Sequence, residues 1–191
     1  MPIADITATL IGINNENEFY SHHYLSEVFK GDIRNVLSDW EAREDGEGAD
    51  KAPYNLLRAF SRDYFAKRNR LLTERSQKSR LSLQSQLSTE ILRALGYPSS
   101  PHNIVIEDKS EIPVIGVIND GHGLPQLLVL EAFDADGEGS EPLSVPPHKD
   151  QFAGDIPPQQ YLLKESWNDI ITKRIFSQTQ PPRWVLLLSH S

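Results

Sequence analysis

With 191 residues, 38% of them apolar, the chain can bury one sizeable core, and its length suggests a single domain. It has no cysteine, which excludes disulfides and thiolate metal sites and fits a reducing compartment. Its net charge of −8 argues against a polyanionic partner for the chain as a whole. That average hides residues 58–80, where Arg58, Arg62, Lys67, Arg68, Arg70, Arg75, Lys78 and Arg80 face only Asp63 and Glu74.

In chain order, the apolar run from Ile3 to Ile13 suggests a leading strand or extended arm. The spacing of Phe19, Leu25, Val28 and Phe29 predicts a first helix ending at Gly31, and Asp32 can cap a second bearing Ile33, Val36, Leu37 and Trp40. Residues 41–52 have charge and glycine without an apolar period and read as an exposed loop. Pro53 suits the first turn of a long helix reaching the mid-70s. Leu83, Leu87, Ile91 and Leu95 mark a further helix, stopped at Gly96 with Pro98 beyond.

After Pro98 the pattern turns to short runs rich in Val, Ile and Leu, at Asn103 to Glu107, Pro113 to Ile118 and Gln126 to Phe133. Residues 134–159 read as a long surface loop, and Tyr161 to Leu163 as a short strand. A helix starting at Ser166 and a buried strand from Arg183 to Leu188 complete the pattern. The expected fold is therefore α/β of the α+β kind, with 1–97 mainly helical and packed on a mixed β-sheet formed by 98–191. The stop just after a core strand suggests a fragment of a longer protein. No apolar run approaches the ~20 residues of a membrane span, and the start lacks a signal-peptide pattern, so a cytoplasmic location is expected.

The runs on either side of Gly121-His122-Gly123 carry the chemistry. Many metal-dependent nucleases place one carboxylate near such a strand and Glu-x-Lys at the end of the next, because two carboxylates hold Mg²⁺ and the lysine steadies the attacking water. Glu131 stands at the carboxylate position, with Asp120 or Glu111 as the other sheet acid and Glu90 as an acid on the preceding helix. Phe133 replaces the lysine, and Val114, Ile115 and Gly116 occupy the central positions of the preceding strand. The layout resembles a PD-(D/E)xK nuclease core with degenerate chemistry. Asp120 and Glu131 could hold Mg²⁺ only weakly. His148 or Lys149 is the nearest substitute for the missing lysine. The adjacent His22 and His23 lack the i,i+4 spacing of a helical metal site.

Four phrases, EFYSHHYLSE at 18–27, EILRALGYP at 90–98, LLVLEA at 127–132 and PRWVLLL at 182–188, together resemble the amino-terminal region of bacterial adenine-specific DNA methyltransferases of restriction-modification and phage-defence systems. The resemblance implies a nuclease-like or DNA-contacting leading domain, with S-adenosylmethionine bound only by a later domain. Neither an Asn-Pro-Pro-Tyr motif nor a glycine-rich loop opening a helix occurs in these residues. The partners expected are DNA, through Arg68, Arg70, Arg75, Lys78 and Arg80, and the other domains or subunits of the parent protein. An active Mg²⁺-dependent endonuclease and a protein-docking domain without nucleic-acid contact are the alternatives.

Overall fold

The computed structural model describes residues 19–44, 51–135, 137, 139–154 and 157–190, so the expected strand at Ile3 to Ile13 lies outside the described residues. The chain divides into two compact units, Met1–Ala52 and Pro53–Ser191.

In the first unit a π-helical turn, Tyr24–Val28, leads into α1 (Phe29–Asp32) and, past Ile33, into α2 (Arg34–Glu44). The helix runs through Gly31 and breaks two residues later, at Ile33, whose ψ of −5° leaves the helical range. Sequence reading places a loop from residue 41, yet α2 continues to Glu44, whose carboxylate accepts the Ala52 backbone N–H at 2.6 Å. None of these helical residues is buried. Tyr20 and Tyr24 stack at 5.5 Å, and the Tyr24 hydroxyl donates to Asp32 at 3.1 Å.

The second unit opens with α3 (Pro53–Thr73) and α4 (Gln77–Ala94), as the apolar periodicity predicts. Ser76 caps α4 by accepting the Ser79 N–H, and Leu71, Leu83 and Leu87 form the seam between the helices with Phe60 and Tyr64 against it. Gly96 ends α4 at φ +80°, with its own N–H on Arg93 O and the Tyr97 N–H on Leu92 O, a Schellman closure that favours glycine.

β1 (His102–Val105) pairs antiparallel with β2 (Glu111–Val114), and β3 (Gly116–Asn119) pairs antiparallel with β4 (Pro125–Glu131). Only Ile115 separates β2 from β3. Its N–H reaches Val129 O and its carbonyl accepts from Ser100, so one bent segment pairs first with β1 and then with β4. A Cβ at Gly116 would lie 2.8 Å from Pro98 O, which explains the glycine at the bend.

After β4 the chain forms a 3-10 turn at Lys149–Gln151, then α5 (Trp167–Asp169), which continues as a π-helix through Ile175, and returns as β5 (Trp184–Leu188) parallel to β4. The crossover through α5 is the connection a parallel pair needs. Tyr161 to Leu163 is a turn, not a strand: Leu162 bonds back to Gln159, and both Lys164 and Glu165 bond back to Tyr161. Leu128, Leu130 and Ala132 share one face of β4 and join Ile112, Val114, Trp167, Ile170 and Ile175 in the main core. Glu131 lies on the other face. The fold is α+β with antiparallel and parallel strand pairing, and among the described residues no helix is long and apolar enough to cross a membrane.

Candidate functional site

Glu131 is the last residue of β4, opposite Leu188 of β5, and only 2% exposed. A strand-end carboxylate with an easy route to solvent would be bland; this one points at α4. Its Oε1 accepts the Ser88 hydroxyl, and Ser88 Oγ lies 2.9 Å from His190 Nε2. Tyr64 of α3 faces the imidazole at 6.2 Å between ring centres. All three members of the cluster are buried.

Burial pushes the Glu131 carboxyl up to about 7, an effect the Ser88 hydrogen bond partly opposes. Burial pulls His190 down to about 4, helped by the positive charge of Arg68. The single hydroxyl proton sets the chemistry. With Glu131 ionised, Ser88 donates to it and His190 must donate through Nε2, leaving Nδ1 as a bare acceptor. With Glu131 protonated, the carboxyl donates to Ser88 and Ser88 donates to the imidazole. His190 Nδ1 has no hydrogen-bond partner among the described residues.

The expected second carboxylate is not brought here. Asp120 sits in the β3–β4 turn, where Oδ1 accepts the N–H groups of His122 and Leu124 at 2.8 and 2.9 Å. It stands at the opposite end of β4, roughly 20 Å from Glu131 at about 3.3 Å per residue. Val114, in the preceding strand, belongs to the main core with Leu128 and Leu130, on the face of β4 away from Glu131. Val114 is 2% exposed and apolar. Glu111 is engaged at the β1–β2 edge with the Asn103 amide, and Glu90 pairs with Lys67 of α3 and accepts from Gln86. Among the described residues none of these three acids stands with Glu131 to face one Mg²⁺, and no three His, Asp or Glu side chains gather as a metal would need. Asp120, Glu90 and Glu111 do not join Glu131, because each already serves its own turn, helix pair or strand edge.

Phe133, at the lysine position, is 8% exposed and walls a cleft of about 380 Å³ with Pro146, Pro147, His148 and Lys149. His148 is bound locally, accepting the Asp150 N–H through Nδ1 and capping the 3-10 turn at Lys149–Gln151. Its ring centre lies 6.5 Å from that of Phe133, in the cleft.

The basic residues divide by burial. Arg80 is 6% exposed and wholly structural: it donates to Leu71 O at 2.8 Å, to Glu74 O at 3.3 Å, and to the backbone and carboxylate of Asp134. That removes it from any DNA surface. Arg68 is half-buried and bears on His190. Arg70, Arg75 and Lys78 are exposed and cluster around the α3–α4 turn, with no ion pair among the described residues. Ser88 and His190 are the residues that sequence reading missed. Ser88 lies three residues before Ile91 on the apolar face of α4, and a polar residue on a buried stripe was the available signal.

Comparison with known proteins gives no match to a family model, to a curated protein or to a solved structure.

Proposed function

We propose that this chain is a restriction-endonuclease-like leading region of a bacterial DNA methyltransferase-like defence protein, working in the cytoplasm, and that it binds or positions duplex DNA without cutting it. The element order supports the fold: a helix, an antiparallel meander of β1, the bent β2–β3 and β4, a helical crossover and a strand parallel to β4. The observation that carries the loss of cleavage is Glu131. It is sealed against Ser88, with Phe133 where a lysine would stand, and among the described residues no second carboxylate joins it to hold Mg²⁺ beside an attacking water. DNA contact rests on the exposed cations at the α3–α4 turn, Arg70, Arg75 and Lys78, which suit phosphate. S-adenosylmethionine belongs to the parent protein's later domain.

The test is titration of the chain with a fluorescent duplex at two salt concentrations, with and without Mg²⁺, followed by a denaturing gel. Binding that weakens steeply with salt, ignores Mg²⁺ and leaves the DNA whole supports the reading. Mg²⁺-dependent cutting would restore the nuclease, and no binding would leave a protein-docking domain.

A further inference from the structure

The outer face of α3 has a composition unlike the rest of this acidic chain. Arg58, Arg62, Phe65, Asn69 and Leu72 recur at intervals of four, three, four and three, so they share one side of the helix, opposite the stripe of Phe60, Tyr64 and Leu71 that packs on α4. All five are exposed, Phe65 at 59% and Leu72 at 57%. Arg58 and Arg62 make no ion pair among the described residues. The only carboxylate on α3 is Asp63, about 100° round the helix from Arg62. A face with cations, an amide and exposed apolar groups, and no carboxylate, suits a polyanion that also presents hydrogen-bonding edges and methyl groups.

We infer that α3 is a recognition helix: it lies in the major groove of duplex DNA with Arg58, Arg62 and Asn69 toward the base edges. This deepens the DNA reading above and rests on it. A helix about 10–12 Å across fits a major groove about 12 Å wide. From Arg58 to Asn69 the helix rises about 16 Å, which spans roughly five base-pair steps. Arg matches the two acceptors of guanine, Asn the acceptor and donor of adenine, and Phe65 or Leu72 the thymine methyl. Arg70 near the end of the same helix, Arg75 in the turn beyond and Lys78 at the start of α4 are placed to hold phosphates as the helix crosses the backbone.

The experiment is selection of the full chain against a random duplex library, followed by binding of the selected and a scrambled duplex. R62A, N69A and the triple variant R70A/R75A/K78A are measured beside it, with folding checked by thermal melting. The expected result is a selected site whose preference over the scrambled duplex falls roughly tenfold in R62A and in N69A, with scrambled-duplex affinity nearly unchanged. The triple variant should weaken both duplexes alike and keep the preference. Methylation of guanine N7, which blocks the major groove, should abolish the preference.

Salt-sensitive binding with no selectable site, or a preference untouched by R62A and N69A, overturns the recognition helix and leaves the DNA reading standing. Equal displacement of the selected duplex by poly-glutamate would show a surface for acidic protein instead. Absence of duplex binding removes both readings.

Discussion

Glu131 and Asp134 lie three residues apart at the end of β4, both nearly without exposure, and their surroundings differ completely. Asp134 has a buried guanidinium: Arg80 reaches its carboxylate and backbone, Gln84 bonds its N–H and C=O in both directions, and the carboxylate also accepts from Gly137 and Gly139. Glu131 has a hydroxyl, with a neutral imidazole behind it, and among the described residues no cation pairs with it. Desolvation is therefore answered by charge at one carboxylate and, at the other, by a rise in proton affinity. The first is an anchor tying the loop after β4 to α4; the second is a proton-sensitive joint among α4, β4 and the end of the chain.

The largest expected effect breaks the anchor. Arg80→Met strands a buried carboxylate and should cost about 3–5 kcal/mol in urea unfolding at pH 7. A loss below about 1 kcal/mol would show that Asp134 does not need the guanidinium.

Next come the two variants of the joint. The folded-state value of Glu131 is raised from 4.5 to about 7, so the stability it contributes is fully present below pH 4.5 and is lost as pH rises through 7. Glu131→Gln, which keeps an acceptor for Ser88, should therefore stabilise the protein at pH 8, by on the order of 3 kcal/mol, with the gain vanishing toward pH 4.5. His190 runs the other way. Its value is lowered from 6.5 to about 4, so its contribution is present above pH 6.5 and lost as pH falls through 4. His190→Leu should remove that acid-side loss. Between pH 4.5 and 6.5 the two slopes oppose, and each variant tilts the wild-type curve in its own direction. Parallel shifts at every pH would mean neither group titrates where its burial places it.

A smaller effect sharpens the anchor's geometry. Gly137 has φ +79°, and a Cβ there would lie 2.7 Å from the Arg80 guanidinium, so Gly137→Ala should cost about 1–3 kcal/mol by thermal melting. The smallest comes from a charge pair outside both networks. Lys67 and Glu90 remain partly exposed, and Lys67→Met should change stability by about 1 kcal/mol or less, further reduced in high salt.

Much of the α+β layout was legible because apolar period reports directly on which face is buried. α3, α4 with its Gly96 stop, β4 and β5 all follow their patterns to within a few residues. The failures are equally local. Gly31 did not end a helix, since glycine only permits a stop and nothing there requires one. Tyr161 to Leu163 has the composition of a strand but finds backbone partners within its own turn. At the site, Glu131 was visible as a carboxylate ending an apolar strand, with Asp120 or Glu111 and Glu90 as candidates for the other acids.

By itself the sequence determined the periodicities, the hairpin turn, the basic segment and the absence of a lysine after Glu131, because each is a property of residues close in the chain. Tertiary structure decided which charges are available. It buried Arg80 beside Asp134, paired Glu90 with Lys67 of α3, and brought Ser88 and His190, 102 residues apart, together beside Glu131. Burial and long-range pairing fix the cost of a charge, and neither is written in the spacing of residues along a strand or helix.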